Sequence, residues 1–215
     1  HGSTSDRLGD LEKRLIQLEK SAGVPSRGSA WVCGEVLIDR LPPATPGGER
    51  INVVGGGAAN TAKCLARLNM PVEFVDGLSS DVYGILAKED LLKNNVGLGM
   101  CLETDQPTCL ATVSVDTHGK ASYEFLIEDT ATFAFSPAWL PDPAVHRPSV
   151  LHIGTLGTII EPGASVVYDW ARNAAKQGVP VVFDPNVRPS VVDDRAEYRK
   201  AVEKFGAISA VIKAR

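Results

Sequence analysis

Apolar residues along this chain follow two rhythms. Short unbroken or nearly unbroken runs occur at Trp31-Val32-Cys33, Val36-Leu37-Ile38, Ile51 to Val54, Val72 to Val75, Val150 to Ile153, Val179 to Phe183 and Ala210-Val211-Ile212. Runs of this length, bounded by glycine, proline or charge, predict short strands, those at Val150 to Ile153 and Val179 to Phe183 buried. Cys109 to Val115 and Ser122 to Ile127 alternate instead, and the turn residues Asp116-Thr117-His118-Gly119-Lys120 between them predict a hairpin. Helical spacing marks Asn60 to Leu68, Asp81 to Lys93 with Ser80 or Asp81 as cap, Ala164 to Gly178 with Gly178 closing the helix, and Tyr198 to Phe205. Near the start, Leu8, Leu11, Leu15 and Leu18 recur at steps of three and four, so 6–20 predicts a helix capped by Asp6. Two heptads are too few for a stable coiled coil, and Gly23 to Ser29 reads as a linker.

From 150 onward the order is strand, helix, strand, helix, strand, which predicts crossovers in a parallel sheet. The hairpin strands do not fit that sheet. They predict a separate small antiparallel sheet acting as a lid, with segments at about 36–53 and 107–128. The chain thus divides into a helical extension and linker over 1–29 and an α/β domain over 30–215.

Composition narrows the function. The chain has 215 residues and a formal net charge of -4. Mild acidity speaks against a nucleic-acid partner, and no apolar run approaches the length of a membrane span. His1-Gly2-Ser3 resembles a tag remnant, and no secretory signal pattern opens the chain. Cys33, Cys64, Cys101 and Cys109 form no Cys-x-x-Cys pair, so neither zinc nor a disulfide framework is expected; a reducing, cytoplasmic setting follows. Cys33 and Cys64 sit in apolar segments and read as small core residues.

The chemistry is concentrated in Val53-Val54-Gly55-Gly56-Gly57-Ala58-Ala59-Asn60, a strand, three glycines and a helix start. Glycines let backbone approach a ligand, and the helix aims unpaired N–H groups at it. Three readings compete. The run fits a dinucleotide fingerprint except at Asn60, with Asp76 where a ribose-binding acid would stand. It also fits a tight turn without ligand. A sugar site is favoured by Asn60, whose amide both donates and accepts.

Gly55 to Ala62 followed by Leu65-Ala66-Arg67-Leu68 resembles the first signature of the ribokinase-like (PfkB) carbohydrate kinases. Gly34-Glu35-Val36-Leu37-Ile38-Asp39 is similar to the opening strand of their fructokinase branch. Leu78 to Gly84 resembles the family's Gly-x-Asp-x-x-Gly turn, with Ser79 in place of the usual glycine. His152 to Leu156 resembles its Gly-Ser/Thr strand end, and Phe183 to Arg188 its Asp-x-Asn-x-Arg motif. The resemblance runs from about Trp31 to Arg215.

It implies a parallel-sheet core with a β lid, and an ATP-dependent kinase acting with Mg²⁺ on a sugar hydroxyl. Asp39 would accept hydrogen bonds from sugar hydroxyls. Gly56 and Gly57 would present backbone groups to the sugar, Asn60 would bind a hydroxyl, and Arg188 would reach sugar or phosphate. Asn186, and Asp184 beside it, would lie near the ATP phosphates. Gly57 stands where ribokinases proper carry lysine, which points away from ribose. The family's general base is an Asp in a Gly-Ala-Gly-Asp helix start. No such segment occurs here, so the base and the rest of the fold are expected beyond Arg215, and these 215 residues alone are expected to be inactive. The lid also implies a homodimer surface. A non-catalytic sugar- or nucleotide-binding module is the alternative from another class.

Overall fold

The computed structural model describes residues 28–45, 47–116, 118 and 121–214. In chain order the strands are β1 (Ala30–Cys33), β2 (Leu37–Leu41), β3 (Ile51–Gly55), β4 (Val72–Val75), β5 (Gly77–Ser79), β6 (Leu102–Thr104), β7 (Leu110–Val115), β8 (Ala121–Leu126), β9 (Val150–Gly154), β10 (Val181–Asp184) and β11 (Val211–Ile212). The helices are α1 (Gly57–Arg67), α2 (Val82–Lys93), α3 (Pro143–His146), α4 (Gly163–Lys176) and α5 (Arg195–Gly206), with a 3-10 turn at Thr155–Thr158. The helix expected over 6–20 lies outside the described residues.

The five-stranded core sheet runs β11-β10-β9-β1-β4 and is parallel throughout. β1 shows why its sequence reads as an unbroken apolar run. Ala30 and Val32 pack with Ala58, Ala62 and Ala66 of α1, whereas Trp31 and Cys33 face the opposite layer with Trp170 of α4. Both faces are covered, so no polar alternation survives. The Trp31 and Trp170 rings stack with centroids 5.9 Å apart.

The lid is a four-stranded sheet in the order β3-β2-β7-β8. Its two hairpins, β2–β3 and β7–β8, are antiparallel, and β2 joins β7 in parallel. The expected antiparallel sheet is therefore mixed along its central seam. Val36 to Asp39, a run expected to continue the strand of Trp31 to Gly34, does not prolong β1. The chain turns at Gly34 (φ 149) and enters the lid as β2. A further two-stranded parallel pair, β5–β6, joins the chain just before the cap of α2 to the chain that follows that helix. That cap is Asp81, whose carboxylate accepts the Gly84 N–H at 2.7 Å and the Thr108 N–H at 2.9 Å.

One cysteine expectation is corrected. Cys33 and Cys109 are buried, but Cys64 is exposed, because α1 buries Ala58, Ala59, Ala62, Lys63 and Ala66 and Cys64 falls off that face. Asp76 is also placed differently from a ribose-binding acid. It is fully buried at the end of β4 and accepts the N–H groups of Val36 (3.2 Å) and Gly77 (2.8 Å). A dinucleotide has no access to it. Among the described residues, no helix is long and apolar enough to cross a membrane.

Glu73 is buried on the β4 face opposite Val72 and Phe74, and its carboxylate accepts the Gly99 N–H at 3.2 Å. Burial pushes its pKa up to about 7. A carboxyl raised in the folded state holds its proton longer than in the unfolded chain. Stability from this group is therefore present at acid pH and lost as pH rises from the unfolded value through about 7. Glu73→Gln is expected to remove that slope, on the order of 2 kcal/mol across the range. Urea midpoints measured at several pH values for both proteins check it.

Candidate functional site

The core sheet branches at β1, with β4 on one side and β9 on the other. Chain leaving the carboxyl ends of β1 and β9 therefore diverges and opens a crevice, the usual ligand position in a parallel α/β sheet. Glu35 leaves β1 there, Thr155 leaves β9, and α1 starts from the glycine turn. The lid sheet roofs the same place. The result is a cleft of about 440 Å³ whose lining includes Asp39, Gly56, Gly57, Asn60, Asn186 and Arg188.

The glycine turn is built by close approach. Gly56 has φ 107, and a Cβ on it would stand 2.5 Å from the Glu35 carbonyl oxygen. A Cβ on Gly57 would run into Thr155 Cγ2 and lie 3.1 Å from Asn186 Nδ2 and 3.2 Å from Glu35 Oε1. Any side chain here would displace the cleft floor, which is why glycine occupies both positions. Gly55, the last residue of β3, lies directly against the Asp39 carboxylate.

Asp39 sits on β2 opposite Val53 and is half-buried. Burial raises its pKa. No donor among the described residues hydrogen-bonds its carboxylate. The Asn60 amide, exposed on the first turn of α1, likewise makes no hydrogen bond to a described residue. A half-buried acceptor and a free amide facing one cavity can take hydroxyl groups from a polyol.

Arg188 is held from behind. Its N–H donates to the Tyr198 hydroxyl at 3.1 Å, and its guanidinium lies 3.3 Å and 3.2 Å from the carbonyls of Asn186 and Val187. The Asn186 backbone is left-handed, with φ 38, which turns its amide toward Gly57. Asp184 is the one sequence-derived candidate that the cleft does not include. It is buried at the end of β10, and its carboxylate pairs with Lys213 at 2.6 Å. Among the described residues, no group of three or more His, Cys, Asp or Glu side chains could hold a metal ion. Asn186 offers a side-chain oxygen at the cleft floor close to Gly57.

Sequence reasoning missed two residues. Glu35 is only 3% exposed, yet it lines the cleft. Its carboxylate accepts the Gly57 N–H at 2.8 Å and is hydrogen-bonded by the Thr155 hydroxyl. Burial raises its pKa, while the Thr155 and Gly57 bonds and the nearby Arg188 charge pull it back down. Glu35 thus caps α1 and ties the ends of β1 and β9 together. Its signal in the sequence was a lone acid inside the apolar stretch Trp31 to Ile38. Thr155, with φ 52, stood only within the strand-end resemblance of His152 to Leu156, and the folded sheet is what brings it to Glu35.

The pfkB family carbohydrate kinase model matches residues 31–214. A fructokinase of Rhizobium leguminosarum bv. trifolii is 34% identical over 84% of this chain and 55% of its own length. A probable fructokinase-6, chloroplastic, of Arabidopsis thaliana is 30% identical over 91% of this chain and 54% of its own. A fructokinase of Xylella fastidiosa solved with bound ATP superposes with a TM-score of 0.77 at 27% identity, over 86% of this chain and 60% of that one. The chain thus spans a little over half the length of these relatives. With the parallel core, the β lid and the match over 31–214, the chain belongs to the pfkB family of carbohydrate kinases.

Proposed function

We propose that the cleft is the acceptor site of a kinase that transfers the γ-phosphoryl group of ATP to a hydroxyl of fructose or a related ketose. This chain supplies the part that holds the sugar. The observation that carries the reading is the Asp39 carboxylate, half-buried in the cleft with no donor of its own, facing the glycine turn and Asn60. Asp39 accepts from sugar hydroxyls. Gly56 and Gly57 let the ring lie against backbone, Asn60 binds a further hydroxyl, and Arg188 offers a planar fork to sugar or phosphate. The relatives' names and the ATP-bound neighbour support the choice of ketose and donor.

Mg²⁺ bound mainly through ATP phosphates needs few protein ligands, and Asn186 suits that limited role. Asp184 contributes by fixing the strand end that carries Asn186. A homodimer through the lid, where Ile51 and Val53 are each 44% exposed, and a cytoplasmic setting complete the reading.

The chain contains no Gly-Ala-Gly-Asp segment to supply the base. Titrated calorimetrically, it is expected to bind fructose with a Kd in the range of about 1 mM or tighter, while ATP and Mg²⁺ yield no sugar phosphate. Absence of fructose binding overturns the acceptor-site reading. Turnover by this chain would place the base among its own residues.

A further inference from the structure

One wall of the cleft, at Asn186, Arg188, Ser190 and Val191, belongs to the loop of residues 185–194 between β10 and α5. The loop is anchored on either side of Arg188. Asn186 stands two residues beyond β10, and Val191 packs on the main core. The Arg188 guanidinium itself is held loosely. Its Nη1 reaches the carbonyls of Asn186 and Val187 at 3.3 Å and 3.2 Å, long for a charged donor. Its Nε and Nη2 make no hydrogen bond to a described residue.

The Arg188 backbone is gripped from α5. The Tyr198 hydroxyl accepts the Arg188 N–H at 3.1 Å and donates to the Arg188 carbonyl at 3.3 Å. Among the described residues, Tyr198 is the one side chain outside this loop that hydrogen-bonds into it. Tyr198 and Phe205 are the buried residues of α5. Phe205 packs on Phe183 of β10, with ring centroids 5.5 Å apart, and Asp194 caps the helix through the Ala196 N–H at 2.7 Å. The helix is therefore docked and capped without the Tyr198 hydroxyl. A hydroxyl that clasps both backbone groups of Arg188 restricts where its side chain can start. Released, Arg188 would lose that freedom only on binding, at a cost in affinity.

We propose that Tyr198 is a positioning residue of the acceptor site, its hydroxyl fixing the Arg188 backbone and so aiming the guanidinium at the bound sugar. This rests on the acceptor-site reading above and adds to it a residue outside the cleft lining.

Calorimetric titration of the wild type, Tyr198→Phe, Arg188→Ala and the double variant with fructose tests it, with a urea midpoint for each. Tyr198→Phe keeps the ring and is expected to weaken fructose binding about fivefold. In the Arg188→Ala background the same change should cost less than about twofold, because no guanidinium remains to be aimed. An equal loss in both backgrounds would make the hydroxyl merely structural and overturns the inference. So does unchanged affinity in folded Tyr198→Phe, or Arg188→Ala that binds fructose as the wild type does. Independently of any variant, the Arg188 Nε–H resonance of the wild type should shift saturably with fructose, and its indifference overturns the inference. In each of these cases the wild type still binds fructose and the acceptor-site reading stands. A wild type that binds no fructose overturns that reading and this inference with it.

Discussion

Asp39→Ala is expected to weaken fructose binding by about 100-fold or more, the largest loss for a single substitution in the cleft. A hydrogen bond to a charged acceptor contributes about 1.5–3 kcal/mol, and a carboxylate in this position can accept from two neighbouring hydroxyls. The carboxylate is already partly desolvated, so little further hydration is lost when sugar arrives. The substitution should leave the fold intact, because no described residue relies on Asp39 for a hydrogen bond. Asp39→Asn keeps one acceptor and should lose less, about tenfold. Affinity should also fall as pH drops through the raised pKa of Asp39, since the protonated acid accepts fewer hydrogen bonds. Isothermal titration of the three proteins at neutral and mildly acid pH reads both effects. Equal affinity in wild type and Asp39→Ala would remove this residue from the site.

The second large effect concerns stability and lies beneath the lid. Asp76→Ala is expected to lower unfolding free energy by about 3–5 kcal/mol. Three donors converge on the Asp76 carboxylate. They are the Val36 N–H, the Gly77 N–H and the Thr132 hydroxyl, the last at 2.8 Å. All are buried; without Asp76 the Thr132 hydroxyl can still donate to the Val36 carbonyl at 3.0 Å, but the two N–H groups lose their partner at about 1–3 kcal/mol each. Val36 leads into β2 and Thr132 follows β8, so this one carboxylate ties both roots of the lid to the end of β4. Burial raises its pKa well above the usual range, and the three donors oppose that rise. Asp76→Asn keeps an acceptor in place and should lose less than half as much. Urea denaturation followed by tryptophan fluorescence measures both variants. A midpoint within error of wild type would show that the lid roots are held by other contacts.

These two residues also show what the sequence could and could not convey. Asp39 entered as a candidate through the resemblance of Gly34 to Asp39 to a family strand, and the structure places it in the cleft lining. Gly56, Gly57 and Asn60 were legible because their constraints are local: a positive φ, a close approach, a first helical turn. Asp76 was misleading for the opposite reason. Its spacing from the glycine turn matched a ribose-binding acid, yet its environment depends on Thr132, 56 residues away. Spacing alone carries no information about burial. Glu35 and Thr155 are separated by 120 residues and meet only because β1 and β9 are neighbours.

The fold followed a similar division. Alternating and unbroken apolar runs located the strands of both sheets, because burial of one or two faces leaves a direct trace in the sequence. The parallel pairing of β2 with β7 left none, since Ile38 finds Leu110 through the return of a distant hairpin. The pair β5–β6 involves strands of three residues, too short for any periodicity to register. Cys64 was placed in the core because its segment is apolar, but the alanine stripe of α1 sets which side faces inward.

Everything proposed for the cleft depends on a sugar seating between the lid and the carboxyl ends of β1 and β9. Backbone amide NMR of the isotopically labelled chain during fructose titration tests it most directly. Saturable shifts are expected, concentrated at Gly56, Gly57, Asn60, Asp39 and Ala111, all of which line the cleft. Saturable shifts concentrated elsewhere, or no shifts at concentrations well above about 1 mM, would contradict it.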